Sequence, residues 1–245
     1  VPINARVRIG GVAATMALVF RWAGPDRRCV VEGRRGMLFE QGQKIVFIGD
    51  SITDCGRRDA NAPYGNGYMS LVRAFLIARY PGLGLSFENR GIGGDTVRHL
   101  EARWHADVLA ERPDWLAVKI GINDVWRSFD RGGEGAVSVG DYETTYRRLL
   151  QAAVDTTGCR LIIAEPYVIE PDLADPMRAE MDRYGLVARR LAEEFGAVNV
   201  QTQAAFDGVL ATTDPTDWAH DRVHPSLAGH AVIAQAFLRA IGWKL

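Results

Sequence analysis

Residues 44–54 read Lys-Ile-Val-Phe-Ile-Gly-Asp-Ser-Ile-Thr-Asp, and no other stretch of the chain limits the possible folds as tightly. From Ile45 to Gly49 the run is apolar, β-branched and aromatic, without the alternation of a half-exposed strand, so it is expected to be a buried strand. It ends in Gly49-Asp50-Ser51, a small turn that places one hydroxyl at the carboxyl edge of a sheet. In open α/β sheets that edge is where ligands bind. A serine in such a turn also serves to cap the following helix, so Ser51 alone decides nothing. A base, an orienting carboxylate and an oxyanion site are needed further along.

The rest of the chain repeats the pattern. A polar loop runs from 55 to 67, and apolar residues at helical spacing fill 68–80, closed by Pro81-Gly82. A second strand is expected at 83–88, then a glycine-rich turn at 89–96 that opens a helix to about residue 110. Further strands are expected at 115–120, 160–164 and 197–200, with helices at about 141–155, 181–195, around 205–210, and 227–241. Strands alternating with helices imply βαβ units: an α/β fold with a mostly parallel five-stranded sheet covered on both faces, a three-layer αβα sandwich. With 245 residues, 47% hydrophobic, the chain suits one large domain.

A formal net charge of −1 gives no electrostatic footprint for nucleic acid or an anionic membrane, and neither is expected as a partner. Cys29, Cys55 and Cys159 are odd in number and lack metal-ligand spacing, so a reducing, cytoplasmic setting is expected, with each thiol a small buried hydrophobe. No metal is expected. Residues 1–36 differ in character: Arg6 and Arg8 precede an apolar run from Ile9 to Phe20, followed by an arginine-rich segment. The outline is that of a signal peptide, but no small-x-small cleavage site follows and the run is too short to span a bilayer. Met37 is expected as the start of the domain, 37–245, with 1–36 an N-terminal extension that is disordered or a mis-assigned start. A homo-oligomer is expected.

Three strand ends carry polar turns that should meet at one edge: Ser51, then Gly93-Gly94-Asp95, then Asn123-Asp124. Glycine lets backbone N–H groups approach a ligand, and an Asn amide adds a neutral donor; with the Ser51 N–H they would form an oxyanion hole. Taken singly, a tight turn explains the glycines and a helix cap explains Asn123. The base is expected in Asp221-Arg222-Val223-His224-Pro225, where Asp221 is near enough to hold one imidazole nitrogen and leave the other for Ser51. His99 and His105, in a polar helix, and His230, inside the last helix, suit surface or core roles better.

Gly49-Asp50-Ser51, the glycine before Asp95, Gly121-x-Asn123-Asp124 and Asp221-x-x-His224 together resemble the four blocks of the SGNH (GDSL-type) hydrolases. The resemblance covers about 39–243 and implies a flavodoxin-like sheet, Ser51 as nucleophile, His224 as base, Asp221 as its orienting acid, and oxyanion donors on Ser51, Gly94 and Asn123. Gly93 competes with Gly94 for that role. Ser51–Arg57, Gly121–Arg127 and Asp175–Arg178 are similar to the bacterial acetylxylan esterases of this family, which implies removal of acetyl groups from acetylated saccharides, xylo-oligosaccharides among them, without a cofactor. Trp126, Arg127 and His220 are then expected to bind substrate. A thioesterase or lysophospholipase of the same fold, acting on longer acyl chains, is the alternative, and a carbohydrate-binding protein without turnover is another. Gly-x-Ser-x-Gly, the elbow of the α/β-hydrolases, is absent around Ser51.

Overall fold

The computed structural model describes residues 37–130 and 132–243; the expectations for residues 1–36 lie outside the described residues. Five parallel strands form one sheet: β1 (Lys44–Gly49), β2 (Ser86–Gly91), β3 (Trp115–Lys119), β4 (Arg160–Ala164) and β5 (Val198–Val200). The helices are α1 (Ser51–Asp54), α2 (Tyr68–Arg79), α3 (Val97–Trp104), α4 (Ile122–Asp130), α5 (Val139–Thr157), α6 (Pro176–Glu194), α7 (Thr202–Leu210) and α8 (Leu227–Ala240). One layer packs α2 and α7 against α8; the other runs through α3, α5, α6 and α4. This is the expected three-layer sandwich. No described helix is long and apolar enough to cross a membrane.

Strand order is β2-β1-β3-β4-β5. The chain therefore winds one way from β1 to β2 and the other way from β3 onward, leaving a crevice outside the carboxyl ends of β1 and β3. Central strands in such a sheet are covered on both faces, which is why Ile45–Ile48 and Trp115–Val118 are apolar at every position and fully buried. Gly49 ends β1 because nothing larger fits: a Cβ there would lie 2.2 Å from the Lys119 carbonyl oxygen of the neighbouring strand. The chain then turns sharply into the single turn of α1, where Asp50 accepts the Ile52 N–H at 2.9 Å.

Several boundaries differ from expectation. β2 starts and ends three residues later than 83–88, so Asn89-Arg90-Gly91 are strand and not turn. Asn89 is buried there because its amide donates to the Thr53 and Tyr64 carbonyls, at 2.7 and 2.8 Å. The helix expected to reach 110 ends at Trp104 and continues as a π-helical turn, His105–Leu109. α1 and α4, at 51–54 and 122–130, are not among the expected helices, and α6 begins at Pro176 with Asp175 as its cap rather than at 181.

Candidate active site

Ser51 stands at the end of β1, and 173 residues later in sequence His224 meets it: Oγ lies 3.0 Å from His224 Nε2. The opposite ring nitrogen, Nδ1, is 2.7 Å from Asp221 Oδ2. An ionised carboxylate only accepts, so Nδ1 carries the proton and Nε2 is left to accept from the Ser51 hydroxyl. The other Asp221 oxygen accepts the main-chain N–H groups of Val223 and His224, at 3.0 and 2.7 Å, which closes the loop into a tight turn. Burial alone would raise the Asp221 carboxyl; the bonds from the His224 ring and the two N–H groups outweigh it and hold it below the usual range. Arg222, between them, takes a left-handed φ of 67°. Trp126, on α4, sets its ring edge-on to the His224 imidazole with centroids 5.6 Å apart.

The turns after β2 and β3 flank the end of β1, which carries Ser51. The Gly93 N–H is already given to Asp54 Oδ2, at 3.1 Å, whereas the Gly94 N–H has no partner among the described residues. That difference favours Gly94 over Gly93 as a donor to a ligand. Gly94 has φ +82°, a conformation that L side chains rarely adopt. Asn123, buried at the start of α4, gives one amide hydrogen to the Asp95 carbonyl at 2.9 Å and keeps its second. The Ser51 N–H heads the first turn of α1, where intrahelical bonding leaves it free. An oxygen acceptor placed between Ser51, Gly94 and Asn123 would thus find three uncommitted donors.

Of the residues expected to bind substrate, Trp126 borders the triad. The Arg127 guanidinium donates to the main-chain carbonyls of Gly94, in the turn beside the site, and of Gly135. His220 is exposed and makes no hydrogen bond with a described residue. Cys55, which has no base near it in sequence, has one in space: His230 Nε2 is 3.3 Å from its sulfur. His230 Nδ1 accepts the Tyr68 N–H at 3.2 Å, so Nε2 carries the proton of the neutral ring. Burial pushes the Cys55 thiol up to about 12 and His230 down to about 4, so the pair stays neutral and acts as a packing joint between α1 and α8.

Beneath the site lie buried charges that no motif singles out. Burial lowers the Lys119 ammonium and raises the Asp50 carboxyl, each partly offset by the other's charge. Lys119 also sits 4.5 Å over the Tyr167 ring. Asp124 accepts the Val97 N–H at 3.0 Å, and burial raises its carboxyl to about 7. No group of three or more His, Cys, Asp or Glu among the described residues is placed to hold a metal ion.

A parallel sheet with a serine, a histidine and an aspartate in one hydrogen-bonded line at its switch point defines a hydrolase of the serine type. Residues 47–232 match the GDSL-like lipase/acylhydrolase family, and the chain belongs to that family. It is 47% identical over 216 residues to an acetylxylan esterase of Geobacillus stearothermophilus, covering 85% of this chain and 98% of the relative. The solved structure of that type of esterase, Axe2 from the same organism, superposes with a TM-score of 0.81 at 47% identity, over 84% of this chain and 96% of the other. LAE5, an alpha/beta hydrolase enzyme from the metagenome of Lake Arreo, is 45% identical with a TM-score of 0.81, over 85% and 99%.

Proposed function

We propose that this chain is a serine esterase that removes acetyl groups from acetylated carbohydrates, xylo-oligosaccharides first among them. One observation carries the reading: Ser51, His224 and Asp221 are joined by hydrogen bonds of 3.0 and 2.7 Å, with uncommitted donors on Ser51, Gly94 and Asn123 following the carboxyl ends of three adjacent strands. The acetylxylan esterase relatives support the substrate class. Structures of catalytic Ser→Ala, Asp→Ala and His→Ala mutants of Axe2 involve the same three residue types.

In this reading Ser51 Oγ attacks the acetyl carbonyl carbon while His224 Nε2 takes its proton. Negative charge moves to the carbonyl oxygen, where the Ser51 and Gly94 N–H groups and the Asn123 amide receive it. The tetrahedral species collapses, His224 returns its proton to the departing sugar oxygen, and acetyl-Ser51 remains. Water then attacks with His224 as base, and acetate leaves. Asp221 holds the imidazole in the required tautomer and stays ionised throughout, in line with its lowered range. Trp126, against His224, offers an aromatic face for the sugar. Cytoplasmic action fits the free thiols of Cys55 and Cys159, and self-association belongs to the same proposal. The test is acetate release from acetylated xylo-oligosaccharides by the wild type and by Ser51→Ala, with mass spectrometry of the quenched enzyme for acetyl-Ser51. Turnover that survives the loss of Ser51 would refute the reading.

A further inference from the structure

Arg103, on α3, takes no part in the bond-making steps, yet its guanidinium lies under both halves of the site, with 15% of the side chain exposed. Nε donates to Asp95 Oδ2 at 2.7 Å, Nη1 to the Arg90 carbonyl at 2.7 Å and Asp107 Oδ2 at 2.6 Å, and Nη2 to the Gly49 carbonyl at 3.1 Å. One planar group thereby ties the end of β1, the end of β2 and the turn that holds Gly93, Gly94 and Asp95. Gly49 is two residues before Ser51. Asp95 is the residue whose main-chain carbonyl receives one hydrogen of the Asn123 amide, at 2.9 Å.

We propose that Arg103 is a positioning residue for the hydrolysis, aiming the Asn123 amide and the Ser51 turn at the developing oxyanion through Asp95 and Gly49. The proposal rests on the esterase reading. An oxyanion donor is effective only when its direction is fixed before the charge appears, and small misplacements cost rate rather than binding. The Asn123 amide is planar, so whatever fixes the acceptor of one hydrogen fixes the direction of the other. The Gly49 carbonyl also accepts the Ile92 N–H, at 3.0 Å, so Arg103 fills its remaining acceptor position and holds the strand end from a second direction. A guanidinium supplies its donors in a rigid fork, whereas a lysine ammonium, with three donors on one atom, cannot reach four acceptors at these separations.

Arg103→Lys keeps the charge and removes the fork, and it is compared with the wild type and Ser51→Ala using 4-nitrophenyl acetate. The expected result is kcat lower by about tenfold or more with KM within about twofold, because a misaimed donor weakens transition-state binding alone. The acid limb of the pH profile should not move, since Asp221 and His224 are untouched. In an Asn123→Ala background the same substitution should cost clearly less than in the wild type, because the route through Asn123 is already cut and only the one through Gly49 remains. Asp95→Asn, which weakens the Arg103 link but keeps the main-chain carbonyl, should repeat the kcat loss and decides the matter if Arg103→Lys does not fold. Wild-type kcat in a folded Arg103→Lys or Asp95→Asn, a loss confined to KM, or an undiminished loss in the Asn123→Ala background overturns the proposal. Beside an inactive Ser51→Ala those results overturn it alone; a fully active Ser51→Ala overturns the esterase reading with it.

Discussion

Replacing Asn123 by alanine separates two costs that the structure assigns to different parts of one side chain. The hydrogen left uncommitted is the one offered to the oxyanion, and losing such a donor costs about 10²–10³ in kcat, or about 2.7–4 kcal/mol. The other hydrogen is bonded to the Asp95 carbonyl within a residue only 5% exposed. Its loss strands a buried acceptor at a cost of about 1–3 kcal/mol in stability. For a domain of this size each kcal/mol moves the melting temperature by about 2–4 °C, so Tm should fall by roughly 2–12 °C. Initial rates on an acetylated xylo-oligosaccharide, taken well below the lowered Tm, give kcat and KM separately, and calorimetry gives the stability change. A kcat within about threefold of the wild type with a raised KM would place Asn123 in ground-state binding and refute the assignment.

Ser51→Ala and His224→Ala should each remove several orders of magnitude in rate, and the double variant should be little worse than either, as measured by acetate release. Asp124→Asn tests a buried carboxyl raised to about 7. A raised carboxyl stabilises the fold fully only below its unfolded value and loses that contribution as pH rises through its folded one, so the variant should gain Tm relative to the wild type between about pH 4 and about pH 7. Parallel Tm-against-pH curves would contradict that. Acetyl esters should show far higher kcat/KM than octanoyl esters, since a long tail gains about 0.8 kcal/mol per buried CH₂ only where an apolar groove exists. A preference for octanoyl esters would overturn the substrate class while leaving the triad standing.

What can be read from the sequence is whatever depends on spacing along the chain. The buried strands declare themselves as continuous apolar runs at 45–49, 115–118 and 161–164, and Asp221-x-x-His224 is a local turn whose geometry follows from three residues' separation. Elements with polar residues turned inward are harder. β2 has an alternating burial pattern, with the buried Asn89 amide satisfied by carbonyls from elsewhere, and so its second half, 89–91, reads as turn. α4 opens with Asn123 and Asp124, both buried, which in sequence look like loop residues. Arg103 and Asp54 are illegible for another reason: a charged residue on a helix has no signature of the distant carbonyls and N–H groups it will meet. Arg127 is expected from the sequence to bind substrate, and the carbonyls of Gly94 and Gly135 that its guanidinium meets have no signature in the sequence.

The segment from Trp218 to Pro225 bears both the imidazole and its carboxylate, and of its residues only Ala219 and Val223 are buried. Ala219 bridges Pro225, Ser226 N–H reaches the Trp218 carbonyl at 2.7 Å, and the Ile169 N–H holds the Arg222 carbonyl at 2.9 Å. Arg222 adds ion pairs to Glu170 and Asp175, at 3.0 and 2.8 Å. Segments with few buried contacts open at free energies well below that of global unfolding. Heat should therefore silence this protein before it melts it: the loop lifts, Ser51 loses its base, and the sheet beneath is still intact. Amide exchange at Val223 and His224 would run faster than in β1 and β3, and cooling would restore activity without any refolding of the core.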